Sequence, residues 1–144
     1  MYQFLTICAT EQLFTLGIIL DQLGLLVDAQ GKDAEARRLH NESLGISRPL
    51  EDKVGLAQSL YQLGLPGQKE GGYTEARRLY QESLEIRQLV GDKIGAARNV
   101  YQLGLLAEAE GDLENAFELV REAEKALFIW QPGRENCGTK PSAY

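Results

Sequence analysis

Along the chain, apolar and small residues recur at the spacing of one helical face. Ala57, Leu60, Tyr61 and Gly64 form one such run, and Ala76, Leu79, Tyr80, Ser83 and Leu84 form the next, at i, i+3, i+4, i+7. Each run predicts an amphipathic α-helix, and the runs come in twos. Punctuation falls where this requires it. Gly31, Gly71 and Gly111 are placed to end the first helix of each pair in a left-handed cap, and Gly91-Asp92 offers a C-terminal glycine followed by an N-cap for the next unit.

The pairs repeat. Gly24, Gly64 and Gly104 are 40 residues apart, as are Gly31, Gly71 and Gly111, and Ala36, Ala76 and Ala116. In this frame residues 20–59 and 60–99 agree at about half of their positions, among them EARRL at 35–39 and 75–79 and Asp-Lys at 52 and 92. Three units follow, over 12–51, 52–91 and 92–131, with 1–11 in the place of a partial preceding helix. A lone helical pair cannot bury its apolar face, so the units must stack on one another as a solenoid. The recurrent glycines and alanines let helices approach closely. Arg38 with Glu42 and Arg78 with Glu82 make i,i+4 pairs, worth about 0.2–0.5 kcal/mol each, on an exposed face.

One copy breaks the pattern. Where the first and third read QLGLLVD and QLGLLAE, the second reads QLGLPGQ. Pro66 inside a helix removes a backbone donor and crowds the carbonyl of Gln62, at about 3 kcal/mol, and Gly67 adds roughly 1. A kinked but continuous helix is the expectation, read either as a functional bend of the groove beside Leu65 or as a neutral defect that the packing of flanking copies tolerates.

Composition narrows the classes of function. The 144 residues carry 15 basic and 21 acidic groups, a net charge of −6, which leaves no excess to neutralise phosphates and speaks against nucleic-acid or anionic-membrane partners. Cys8 and Cys137 have neither metal-ligand nor disulfide-framework spacing, which fits a reducing, cytoplasmic setting. The apolar opening, MYQFLTICATEQLFTLGIIL, lacks a basic leader and is broken by Gln3, Glu11 and Gln12, so it is expected to be a buried helix. Residues 132–144 mix Pro, Gly and polar groups without period and are expected to be a disordered tail.

The three copies resemble tetratricopeptide repeats. The matching residues are Leu23-Gly24, Leu63-Gly64 and Leu103-Gly104 in the first helices, then Ala36, Ala76 and Ala116 early in the second. His40, Tyr80 and Val120 follow four residues on, and Ser43, Ser83 and Ala123 fill the small position after them. The 40-residue unit is similar to the longer-helix variety of kinesin light chains, polarity adaptors and sensor regions of large bacterial signalling ATPases. The resemblance implies an all-α fold, a right-handed superhelical solenoid of antiparallel helix pairs. It also implies a function, a protein-interaction module or scaffold whose concave face, lined by the first helices, holds a partner peptide or helix. Carried over by position, that face comprises Ile18, Asp21, Leu25 and Asp28; Gln58, Tyr61, Leu65 and Gln68; and Arg98, Tyr101, Leu105 and Glu108. Members that grip a C-terminal carboxylate use Lys, Asn and Arg. Asp21, Leu25, Gln62 and Gln102 occupy those positions here and only Arg98 fits, so no such clamp is expected. Leu25, Leu65 and Leu105 stand where adaptor members often carry an Asn ladder, and leucines favour an apolar ligand.

Nothing in the chain assembles a catalytic or metal constellation. The one histidine, His40, stands where the next copy has Tyr80 and reads as packing, no phosphate-cradling glycine loop is present, and no enzyme activity or cofactor is expected. Tyr61 and Tyr101 suit either a core or a binding surface. Phe128, Ile129 and Trp130 close the last helix with no polar capping helix evident after them. A solenoid usually needs such a cap. These residues are therefore a possible edge for homo-oligomers, and self-association through uncapped terminal helices is the alternative function. A third reading, suggested by resemblance alone, is a sensor segment of a larger bacterial signalling ATPase or regulator.

Overall fold

The computed structural model describes residues 2–130, although the side chains of Tyr2, Phe4, Leu5 and Phe128–Trp130 fall outside the description. The expected tail at 132–144 and the proposed edge side chains Phe128, Ile129 and Trp130 therefore lie outside the described residues. Six helices follow in order: α1 (Tyr2–Ala29), α2 (Asp33–Leu50), α3 (Lys53–Lys69), α4 (Tyr73–Val90), α5 (Lys93–Ala109) and α6 (Leu113–Trp130). They pack as consecutive pairs, α1 with α2, α3 with α4 and α5 with α6, while α2 on α3 and α4 on α5 join one pair to the next. This is an all-α solenoid.

The caps explain the frame. Gly31, Gly71, Gly91 and Gly111 all take positive φ, between 79° and 87°, where an L side chain is strained. Asp52 and Asp92 each accept a hydrogen bond from the backbone N–H of Gly55 and Gly95, at 3.0 and 2.9 Å, and so start α3 and α5. The first copy has Glu11-Gln12 at the corresponding place, with neither a glycine stop nor an Asp cap. Consequently residues 2–11 do not form a separate preceding helix, as the frame suggested, but run straight into α1 as one 28-residue helix.

That helix also corrects the expectation of burial. Ile7, Leu13, Phe14, Leu16, Ile19 and Leu26 are exposed, because α2 covers only the face carrying Gly17, Asp21 and Gly24. Residues Thr6–Ala29 are long and apolar enough, by length and composition, to cross a bilayer.

Close approach within pairs rests on glycine. A Cβ on Gly64 would stand 2.5 Å from Cε1 of Tyr80, and one on Gly24 would stand 2.7 Å from Cε1 of His40. The ring of the second helix therefore lies directly on the backbone of the first. Tyr80 is fully buried and His40 is 2 % exposed, so neither ring has room to withdraw.

α3 is continuous through Pro66. The residue sits only three positions from the helix end, so few hydrogen bonds are at stake, and Pro66 is itself buried. Its carbonyl still accepts from the N–H of Glu70, and Gly67 accepts from Gly72 at 2.7 Å. Gly67 faces Ala76, and a Cβ there would meet Ala76 Cβ at an ordinary 3.7 Å.

Candidate functional site

The face formed by α1, α3 and α5 carries the residues transferred from the repeat frame, and their fates differ. Asp21 is turned inward. Its Oδ1 lies 3.0 Å from His40 Nδ1, and both its oxygens accept from the Ser59 hydroxyl at 3.0 Å, so the carboxylate is spent between α1, α2 and α3. At 7 % exposure it cannot meet a partner, which corrects its assignment to the binding face. Ser59 also reaches Ser43, whose hydroxyl donates to the Gly17 carbonyl.

The second copy holds larger groups at the same places. Tyr61, in the frame position of Asp21, is half-buried against Tyr80, with ring centroids 5.7 Å apart and planes at 50°. Arg87 stacks its guanidinium 5.1 Å from the Tyr61 ring centroid and donates to Asn99 Oδ1, the Gly95 carbonyl and Gln58 Oε1. Asn99 in turn donates to the Tyr80 carbonyl, and the Tyr80 hydroxyl donates to Gln68 Oε1. Burial, then the neighbouring Tyr61 phenol, holds Tyr80 well above the ordinary phenol range. Burial pulls Arg87 down from its usual value, while Asp92 and Tyr61 push back and Arg98 adds to the fall. Gln58, Tyr61 and Gln68 are thus partly committed to internal contacts.

The α5 residues are not. Arg98, Tyr101 and Glu108 are exposed and Leu105 is half-buried, at i, i+3, i+7 and i+10 on one stripe. Neither Arg98 nor Glu108 forms an ion pair among the described residues. Beside them lies half-buried Leu65, packed against the Ala76, Tyr80 and Leu106 cluster; farther along, α1 carries half-buried Leu25 and Asp28 with exposed Ile18. Apolar area with one positive and one negative end is what an amphipathic peptide needs.

On the opposite side the second helices stand apart and leave two clefts. One, of about 380 Å3, runs between α2 and α4, floored by Leu60, Leu63 and Gly67 and rimmed by Arg37, Arg48 and Arg78. The rim arginines are already paired, Arg37 with Glu70 at 3.0 Å, Arg48 with Glu82 at 2.9 Å and Arg78 with Glu75 at 2.6 Å. Exposed pairs of this kind are worth about 0–1 kcal/mol. The other, of about 340 Å3, lies between α4 and α6 over Ala97 and Val100. Repeat reasoning on the first helices alone missed both; the absent side chain at Gly67 was the visible signal for the first.

Among the described residues no cluster of His, Cys, Asp or Glu is arranged to hold a metal ion. Paired helices stacked at a 40-residue interval, with small residues at each crossing, define a helical-repeat protein. Residues 67–127 match the sequence model of the tetratricopeptide repeat, and the first copy keeps the same 40-residue frame. Proteins built this way generally serve as interaction modules or scaffolds for other proteins and peptides. No curated protein matches the chain.

Proposed function

We propose that the chain holds a partner peptide or helix against the face of its first helices, centred on α5. Tyr101, Leu105 and Leu65 supply apolar contact, and Arg98 and Glu108 select charge at the two ends. The observation that carries this reading is the contrast within one repeat frame: Asp21 and Tyr61 are engaged inside the fold, whereas Tyr101 at the same position is 42 % exposed. An exposed tyrosine beside a leucine on a rigid helix offers area and a polar tip at low entropic cost. Leucines at 25, 65 and 105 give the ligand an apolar side. Peptides selected from a random library on the full chain provide the probe, with affinity read by calorimetry. Tyr101→Ala with Leu105→Ala is expected to weaken the selected peptides at least tenfold, about 1.4 kcal/mol. Unchanged affinity would remove the proposal.

A further inference from the structure

The two ends of the solenoid carry faces that match each other as the internal junctions do. Of the fourteen large apolar residues exposed among the described ones, eight lie on α1. Four of them, Leu16, Ile19, Leu23 and Leu26, form one stripe, and the frame gives each a counterpart in the later first helices. Leu26 corresponds to Pro66 and Leu106, both buried, and Ile19 to Ser59 and Asn99, both fully buried. What covers those residues inside the chain is the second helix of the preceding pair. The exposed stripe of α1 is therefore the surface on which a preceding second helix would sit.

The partner positions change in step. At the two internal junctions an arginine of the second helix pairs with a glutamate beyond the next first helix, Arg37 with Glu70 and Arg77 with Glu110. The terminal counterparts are Phe117 on α6 and Gln30 after α1, so the charge is missing from both sides at once. Inside, Arg87 donates to Asn99, and the equivalent Ser47 and Ser59 are both buried; at the ends the same positions hold Leu127 and Ile19. Tyr73 packs on the cluster containing Leu106; its counterpart is Leu113, 67 % exposed, and that of Leu106 is Leu26, 64 % exposed. Two of these pairs have become apolar on both members, Leu127 with Ile19 and Leu113 with Leu26, and the third has lost both charges. A change on one side alone would strand a buried arginine or asparagine without its partner.

We propose that α6 of one chain docks on α1 of a second copy in the register of the internal junctions, with Leu113 on Leu26, Leu127 on Ile19 and Phe117 beside Gln30. The two faces are different surfaces, so the contact is heterologous and adds copies in a row rather than closing a dimer. It uses neither the α5 stripe nor the outer clefts. The burial of large exposed apolar residues drives it.

Sedimentation velocity of the full chain tests this with two substitutions at exposed sites, Leu26→Glu and Phe117→Glu. Wild type is expected to form species that grow beyond the dimer as concentration rises, and each variant alone to stay monomeric. An equimolar mixture of the two variants retains one intact α1 face and one intact α6 face, and so is expected to give a one-to-one dimer that grows no further. That dimer also shows both variants to be folded. A wild type that is monomeric throughout overturns the proposal, as does a variant that associates like wild type, or a mixture that stays monomeric. So does flotation of a monomeric wild type with phosphatidylcholine vesicles that Leu26→Glu abolishes, which would assign the α1 face to a lipid surface.

Discussion

The junction between α2 and α3 and the junction between α4 and α5 share one backbone frame and hold different chemistry. In the first, Asp21, His40, Ser43 and Ser59 make a compact set of short polar groups, with His40 Nε2 buried and without a hydrogen-bond partner. In the second, Tyr61, Tyr80, Arg87 and Asn99 interlock through stacking and hydrogen bonds that reach Gln58, Gln68 and Gly95. The difference teaches that each junction is a matched set. A tyrosine at position 21 would need the arginine that stacks on Tyr61, and an aspartate at 61 would face Tyr80 instead of an imidazole. Residues in one network couple, so single exchanges between copies should cost more than the exchange of whole sets.

The largest break in this comparison comes from Tyr80→Ala, which empties a fully buried aromatic site and removes the support of Tyr61. It is expected to cost about 3–5 kcal/mol in urea unfolding. His40→Ala should cost distinctly less, because the ring is smaller and one of its nitrogens gains nothing from the fold. Equal costs would mean that the two junctions are energetically alike.

Next in size is Arg87→Ala, which leaves Asn99 Oδ1 and the Gly95 carbonyl without their donor, at about 3 kcal/mol. Ser47→Ala at the equivalent place is expected within about 1 kcal/mol of wild type. A ratio near one between these two unfolding costs would contradict the reading of Arg87 as the centre of its network.

The smallest effect has the opposite sign. Gly67→Ala fits, since its Cβ would meet Ala76 at 3.7 Å, and it raises helix propensity by about 1 kcal/mol. The melting temperature should rise by about 3 °C. A fall would show that the open floor of the α2–α4 cleft is required by the packing.

The fold was legible from Gly24, Gly64 and Gly104 because close helix crossings demand a residue without Cβ wherever a ring or a branched side chain lies opposite, here His40, Tyr80 and Val120. The caps at Gly31, Gly71, Gly91 and Asp92 were legible for the same kind of reason, a local conformation that few residues accept. The site was legible only in outline. Asp21, Tyr61 and Tyr101 share one frame position, and whether each points into the fold is decided by residues 19 to 38 positions away, His40 and Ser59 in the first case, Tyr80 and Arg87 in the second. No local pattern carries that information. The run-through of α1 was written at Glu11-Gln12, where stop and cap are both missing, but the apolar run around it invited a reading of burial instead.

The central claim is that a partner lies along the first helices and not in the outer clefts. Leucine-methyl resonances of the full chain, followed as a library-selected peptide is added, test it directly. The account predicts shifts at Leu105, Leu65 and Leu25 with Leu44 and Leu79 unmoved; shifts centred on Leu44 and Leu79 would put the partner in the α2–α4 cleft and contradict it.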